Sequence, residues 1–282
     1  MYLDEYTGKR VYQEGLEEDD QALYRAAAVT VGSRSKHFWR KFTYLNFQAL
    51  DTGVGKVVEA LKAAGLYNNS IIVFSTDNGG VKTKSSNYPL RGAKESVSEG
   101  GVRGVGWVHS PHVNVPGSKM RQKIYITDWL ATLLTVAGLG SLVPPNTDSL
   151  NMWPTVSWGR ESPRQEIVLN IDQDTYWNTW SAAIITGKYK LIWGQRLLLK
   201  QRLEEETCNL ELYNLKKDPE ERKNLLLESP RRKLVAPMKS RLMEHFRQMA
   251  PADYPDPRWV VGPNDPALFG GVLSPGWCEP RV

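Results

Sequence analysis

The residues of this sequence best suited to chemistry stand together at Asp77 and Asn78, inside Ile71-Ile72-Val73-Phe74-Ser75-Thr76-Asp77-Asn78-Gly79-Gly80. An adjacent carboxylate and carboxamide offer hard oxygen ligands of the kind calcium or magnesium prefers. Asp-Asn-Gly-Gly is also a common turn composition, so a plain turn is the competing reading of these four residues. His109 and His112 flank Ser110-Pro111 and invite a metal or acid/base role, against hydrogen-bonded structural histidines near a strand end. Cys208 and Cys278 are the only cysteines, and two thiols in a chain of 282 residues define neither a disulfide framework nor a zinc site. They could form one bridge that ties down the C-terminal tail, or stay as unrelated thiols.

The element that must position Asp77 and Asn78 is the apolar run opening at Ile71. It predicts a strand buried on both faces, as in a parallel sheet, with the polar pair at its C-terminal end. In open α/β sheets that edge is where ligands bind. Gly79 and Gly80 are read as letting the backbone turn sharply away. Ahead of the strand, Phe47, Leu50, Val54, Val57, Val58, Leu61 and Ala64 recur at helical spacing, with Gly65 placed for a left-handed C-cap. Gly53 and Gly55 interrupt this helix, and close packing against a neighbour would account for them.

Two further motifs follow: Pro89-Leu90-Arg91-Gly92-Ala93-Lys94 and Glu99-Gly100-Gly101-Val102-Arg103-Gly104-Val105-Gly106. With the Thr76-Asp77-Asn78-Gly79-Gly80 strand end, they resemble the sulfatase family, and within it the arylsulfatase B group. That resemblance implies that Asp77 and Asn78 bind an active-site calcium and that Lys94 contacts the substrate sulfate. It implies an α/β fold, a partial alkaline-phosphatase-like sheet flanked by helices, plus a small C-terminal antiparallel sheet with one helix. It runs from about Phe42 to Leu225, where Asp218-Pro219-Glu220-Glu221 resembles the family's late Asp-Pro-x-Glu turn, and corresponds to about the C-terminal half of a family member.

The resemblance also implies a sulfuric ester hydrolase acting on sulfated carbohydrate or aryl sulfate. Such chemistry needs a strong nucleophile and cations to absorb charge on the nonbridging oxygens. The family makes its nucleophile from the cysteine of Cys-x-Pro-x-Arg, but Cys208 precedes Asn-Leu-Glu and Cys278 precedes Glu-Pro-Arg. The family's N-terminal metal aspartates have no match either, so the sequence is expected to be a truncated or inactive form with weak calcium binding. The alternative is a noncatalytic sulfatase-like protein that binds anionic glycans or a protein partner.

Composition sets looser bounds. Hydrophobic content of 41% is ample for a core, and a net charge of +5 favours anionic partners without naming one. The basic stretch Arg34 to Lys41 reads as a solvated loop rather than a nucleic-acid patch, and the acidic run Leu16 to Asp20 as a solvated face or helix start rather than a metal cluster. No stretch of about 18 apolar residues predicts a transmembrane helix, and Met1-Tyr2-Leu3-Asp4-Glu5 is too charged for a signal peptide. A full-length family member would be lysosomal or secreted, a setting in which the sequon Asn68-Asn69-Ser70 would matter. Oligomeric state is not legible.

The remaining elements divide the chain. Val105 to Val108 predicts a second strand of the same parallel sheet, and Asp128 a cap on a helix ending at Gly138. Beyond Pro163 come strands at Ile167–Asn170, Ala182–Thr186, Tyr189–Trp193 and Leu210–Asn214, the second and third joined by a hairpin at Gly187-Lys188. A helix is expected over Pro237–Met249, with the proline in its first turn. The expected division is an unassigned segment at 1–41, the α/β part at 42–165, and an α+β subdomain with tail at 166–282.

Overall fold

The computed structural model describes residues 2–3, 10–11, 36–82, 85–174, 179–194, 210–228 and 231–250, with side chains from residue 45 onward except at 173–174, 179–180 and 232. The acidic run, Cys208, Cys278 and the tail from Pro251 lie outside the described residues. Two short strands, β1 (Tyr2–Leu3) and β2 (Arg10–Val11), pair antiparallel. Helix α1 spans Lys36–Ala63, and a 3-10 turn at Tyr67–Asn69 leads into β3 (Ile72–Ser75). Then come α2 (Glu99–Val102), β4 (Gly106–His109), α3 (Asp128–Val136) and α4 (Trp153–Trp158). The C-terminal part holds β5 (Glu166–Asp174), β6 (Thr179–Thr186), β7 (Tyr189–Trp193), β8 (Leu210–Asn214) and α5 (Arg232–Gln248).

β3 pairs with β4 antiparallel, with Ile72 opposite His109 and Ser75 opposite Gly106, which corrects the expected parallel sheet. The apolar run was a fair signal for a strand, but it carries no information about the direction of the partner. Nor is β3 buried on both faces. Its residues are half-buried or exposed, and Phe74 stacks on Trp107 across the pair with ring centroids 5.4 Å apart.

Helix α1 starts earlier than its apolar periodicity indicated and ends as expected. Gly65 has φ 70°, its N–H bonds the Lys62 carbonyl, and the Leu66 N–H reaches back to Leu61, the paired bonds of a Schellman cap. The apolar stripe is not packed as predicted: Phe47 is 64% exposed and Val57 57%. Gly53 and Gly55 have nothing within 4 Å of a notional Cβ, so no close neighbour accounts for them.

The core lies in the C-terminal sheet, ordered β5-β6-β7-β8 with every pairing antiparallel. Period-two alternation splits its strands between two faces. Ala182, Ile184, Leu191 and Leu212 pack under Val235, Met238 and Leu242 of α5. Ala183, Ile192 and Tyr213 face the other way, onto Val97, Leu169 and Leu215. The antiparallel sheet with one helix is as expected, and Gly187 at φ 55° makes the β6–β7 turn. Helix α5 begins at Arg232, so Pro237 sits inside it rather than in its first turn. Its missing N–H removes one bond to the Lys233 carbonyl.

Candidate functional site

Beyond β3 the chain runs through Thr76 to Asp77 and Asn78, with Asp77 exposed and Asn78 half-buried. The Asn78 N–H donates to Asp77 Oδ1 at 2.8 Å, and Asn78 Nδ2 donates to the Gly79 carbonyl at 2.9 Å. This is the local bonding of a turn. It also orients the site, because a carbonyl acceptor must be met by the amide nitrogen, which leaves Asn78 Oδ1 on the opposite branch.

Lys94 returns to the same place. Its N–H donates to the Gly80 carbonyl at 3.1 Å, and it lies in a tight turn closed by the Ser96 N–H on the Ala93 carbonyl at 3.0 Å. Gly92 at φ 86° and Glu95 at φ 73° frame that turn. The exposed Lys94 side chain and those of Asp77 and Asn78 line one open concavity. Among the described residues neither Lys94 nor Asp77 forms an ion pair, so the ammonium and carboxylate stand more than 4.0 Å apart. The same concavity takes Lys119, Arg121 and Lys123 from the loop before α3, and burial pushes the Lys123 ammonium pKa down.

The glycines of the two motifs do something other than turn the chain. Neither Gly79 nor Gly80 has a positive φ, which corrects the expectation of a sharp reversal. A Cβ on Gly79 would stand 1.7 Å from the Gly100 carbonyl oxygen, and one on Gly101 would stand 2.1 Å from that of Ser96. Gly79 thus lets the strand end meet α2 backbone to backbone, where its N–H bonds the Gly101 carbonyl at 2.9 Å, and Gly101 lets α2 sit against the Ala93–Ser96 turn.

The other candidates take structural places. His109 Nε2 is 2.6 Å from the Tyr67 hydroxyl, beneath a tilted ring contact, and the His112 N–H donates to Ser110 Oγ at 3.2 Å. Asp128 is buried but does not cap its own helix. Its carboxylate accepts the Tyr125 N–H at 2.8 Å, the Leu150 N–H at 3.0 Å and two donors of Arg164.

Sequence reasoning missed a buried charge cluster behind the concavity. Lys190 of β7, fully buried, places Nζ 2.9 Å from Glu99 Oε1 and 2.8 Å from Glu221 Oε1. The second contact is an ion contact outside hydrogen-bond alignment. Glu221 Oε2 accepts the Glu99 N–H at 2.9 Å and lies 3.5 Å from Arg91 Nε. Arg91 also pairs with Glu211 and sits 4.9 Å over the Tyr213 ring. Burial and then Glu211 push the Tyr213 phenol pKa up, while for Arg91 the pull of burial is outweighed by its bond to Glu211. The available signal was Lys190 itself, a charge at an inward position of an apolar strand.

A calcium ion fits part of this donor set. Asp77 and Asn78 Oδ1 are hard oxygens, yet calcium takes about 6–8 of them, and no group of three or more His, Cys, Asp or Glu residues among the described residues could hold a metal. Asp77 and Asn78 would therefore be a minority of any shell.

Comparison with known proteins gives a consistent picture. The sulfatase family model matches residues 40–139. Mouse arylsulfatase J is 35% identical over 265 residues, 82% of this chain and 43% of that protein. Human N-acetylgalactosamine-6-sulfatase is 26% identical over 226 residues, covering 72% of this chain and 42% of its own length. The chain thus spans less than half the length of these curated relatives. Among solved structures, Ps i-CgsB in complex with k-i-k-neocarrahexaose superposes with a TM-score of 0.60 at 25% identity, over 82% of this chain and 46% of that one. The three motifs around the concavity all fall inside the matched segment, and these likenesses together support a member of the sulfatase family.

Proposed function

We propose that this chain carries the metal-carboxamide and sulfate-contact part of a sulfuric ester hydrolase active on sulfated carbohydrate. Asp77 and Asn78 are the calcium ligands, and Lys94 is the sulfate contact. The observation that carries the reading is the Lys94 N–H on the Gly80 carbonyl, which holds the Lys94 backbone against the loop two residues beyond Asn78, with all three residues on the wall of one broad concavity. When bound, calcium would neutralise charge on the nonbridging sulfate oxygens. Asn78 orients its oxygen through the bond from Nδ2 to Gly79, and the Asp77 carboxylate is fixed by the Asn78 N–H. Lys94 offers an ammonium free of carboxylate partners among the described residues, able to hold an anionic oxygen. The names of the relatives, a galactosamine-6-sulfatase among them, support a sulfated sugar as the substrate class.

Calorimetric titration tests this. Calcium should bind weakly and lose its heat in Asp77→Ala and Asn78→Ala, while inorganic sulfate binding should fall several-fold in Lys94→Ala. Calcium or sulfate binding that ignores all three substitutions would remove the site reading.

A further inference from the structure

The buried cluster behind the concavity joins distant parts of the chain at one place. Lys190 comes from the middle of the C-terminal sheet, on the face opposite α5, and Glu221 from the Asp218-Pro219-Glu220-Glu221 turn after β8. Glu221 is 1% exposed and held at φ 56°, a left-handed conformation that side-chain-bearing residues seldom adopt. Its turn is fixed from within. Asp218 accepts the Arg222 N–H at 3.0 Å and the Lys223 N–H at 2.9 Å, and the Glu221 N–H reaches the Asp218 carbonyl. A strained residue persists where its surroundings over-determine it, and here the surroundings are Glu99, Lys190 and Arg91.

What this cluster grips is the segment that carries Lys94. Glu221 Oε2 takes the first N–H of α2 and approaches Arg91, while Lys190 takes the Glu99 carboxylate. Arg91 and α2 are then joined directly, since the Gly100 N–H donates to the Arg91 carbonyl at 2.6 Å. From α2 the Gly101 carbonyl holds Gly79, and from the same loop the Lys94 N–H holds Gly80. The path from Glu221 to the strand end therefore consists of hydrogen bonds and ion contacts with no free joint.

We propose that Glu221 and Lys190 are positioning residues: a buried clamp on the C-terminal sheet fixes the Arg91–Val102 segment and so places Lys94 beside Asp77 and Asn78. The clamp gives the Asp-Pro-x-Glu turn a task at a distance, through α2 rather than by touching a ligand. Its binding consequence rests on the reading of Lys94 as the sulfate contact; its structural consequence does not.

The test substitutes Glu221→Gly in the whole chain. Glycine adopts φ 56° freely, so the turn keeps its backbone and only the carboxylate is lost. Amide hydrogen exchange at Lys94, Glu99, Gly100 and Gly101 should quicken at least tenfold, with Ile184, Leu191 and Leu212 unchanged. Uniform acceleration, or none at the segment, overturns the clamp. Titration with inorganic sulfate gives a second arm. Glu221→Gly and Lys94→Ala should weaken binding by similar factors, and the double variant should be no weaker than either; factors that multiply would show the two residues to be independent. If sulfate binding is indifferent to Lys94→Ala, the reading of that lysine fails, and the exchange pattern still decides the clamp. Should Glu221→Gly not fold, Glu221→Gln keeps an acceptor for Glu99 while releasing Lys190, and it must show the same exchange pattern at reduced size.

Discussion

Arg164 grips Asp128 with two nitrogens: Nε donates to Oδ2 at 2.8 Å, and the second donor meets Oδ1. Asp128 is fully buried and the Arg164 side chain nearly so. The same arginine also donates to the Asp148 carbonyl, so the pair ties α3 to the segments on either side of α4. A buried pair of this kind is weak grounds for net stability, but breaking it strands the surviving charge.

Asp128→Ala should therefore destabilise the fold by about 3–5 kcal/mol, the range for removing one member of a buried ion pair. Adding Arg164→Met should restore part of that loss. Urea midpoints of the wild type, both single variants and the double variant measure it, and additive losses would show the pair to be uncoupled.

Gly79→Ala should be more damaging than its single methyl suggests. The new Cβ would land 1.7 Å from the Gly100 carbonyl oxygen, on backbone rather than on a yielding side chain. A loss of about 1–3 kcal/mol is the usual range for forced overpacking. A melting temperature equal to wild type would mean the strand end and α2 are free to separate.

Acid should release one link between β5 and α5. Glu166 accepts Nε of Arg241 at 2.8 Å and is 2.9 Å from His245 Nε2. Arg241 foremost, opposed by burial and assisted by His245, holds the Glu166 carboxyl pKa below its ordinary value. A carboxylate depressed in the folded state adds stability above its unfolded pKa, near 4.5, and loses it as pH falls through the lower folded value. Glu166→Gln should thus lower stability at neutral pH and flatten the decline below about pH 4.5, where wild type and variant converge. Thermal melts across that interval decide it, and parallel curves would exclude Glu166 as a contributor.

The chain by itself should not hydrolyse an aryl sulfate above background. Neither Cys208 nor Cys278 stands in Cys-x-Pro-x-Arg, so on the proposed reading the chain offers an anion contact and part of a metal shell without that motif's nucleophile. Release of nitrophenol from nitrophenyl sulfate is the assay. Turnover that Asp77→Ala and Lys94→Ala abolish would place a nucleophile elsewhere in this chain.

The sequence by itself determined the local elements and the identity of the candidate site. The short runs Tyr189–Trp193 and Leu210–Asn214 mark strands, the first of them opening at the Gly187-Lys188 turn, and Gly65 marks a helix end because φ 70° suits glycine. The motifs around Asp77 and Lys94 were legible because their residue types and spacing are unusual together. Tertiary structure alone decided the rest. Strand direction at β3 depends on which segment returns beside it, which an apolar run cannot encode. Gly79 and Gly80 read as turn formers, yet Gly79 is needed because Gly100 passes within contact distance of it, a fact held in the partner and not in the residue. Lys190 and Glu221 looked like an ordinary strand charge and a turn residue. Their meaning came from Glu99, 91 and 122 positions away, since burying a charge is tolerable only where the fold brings its counter-charge to it.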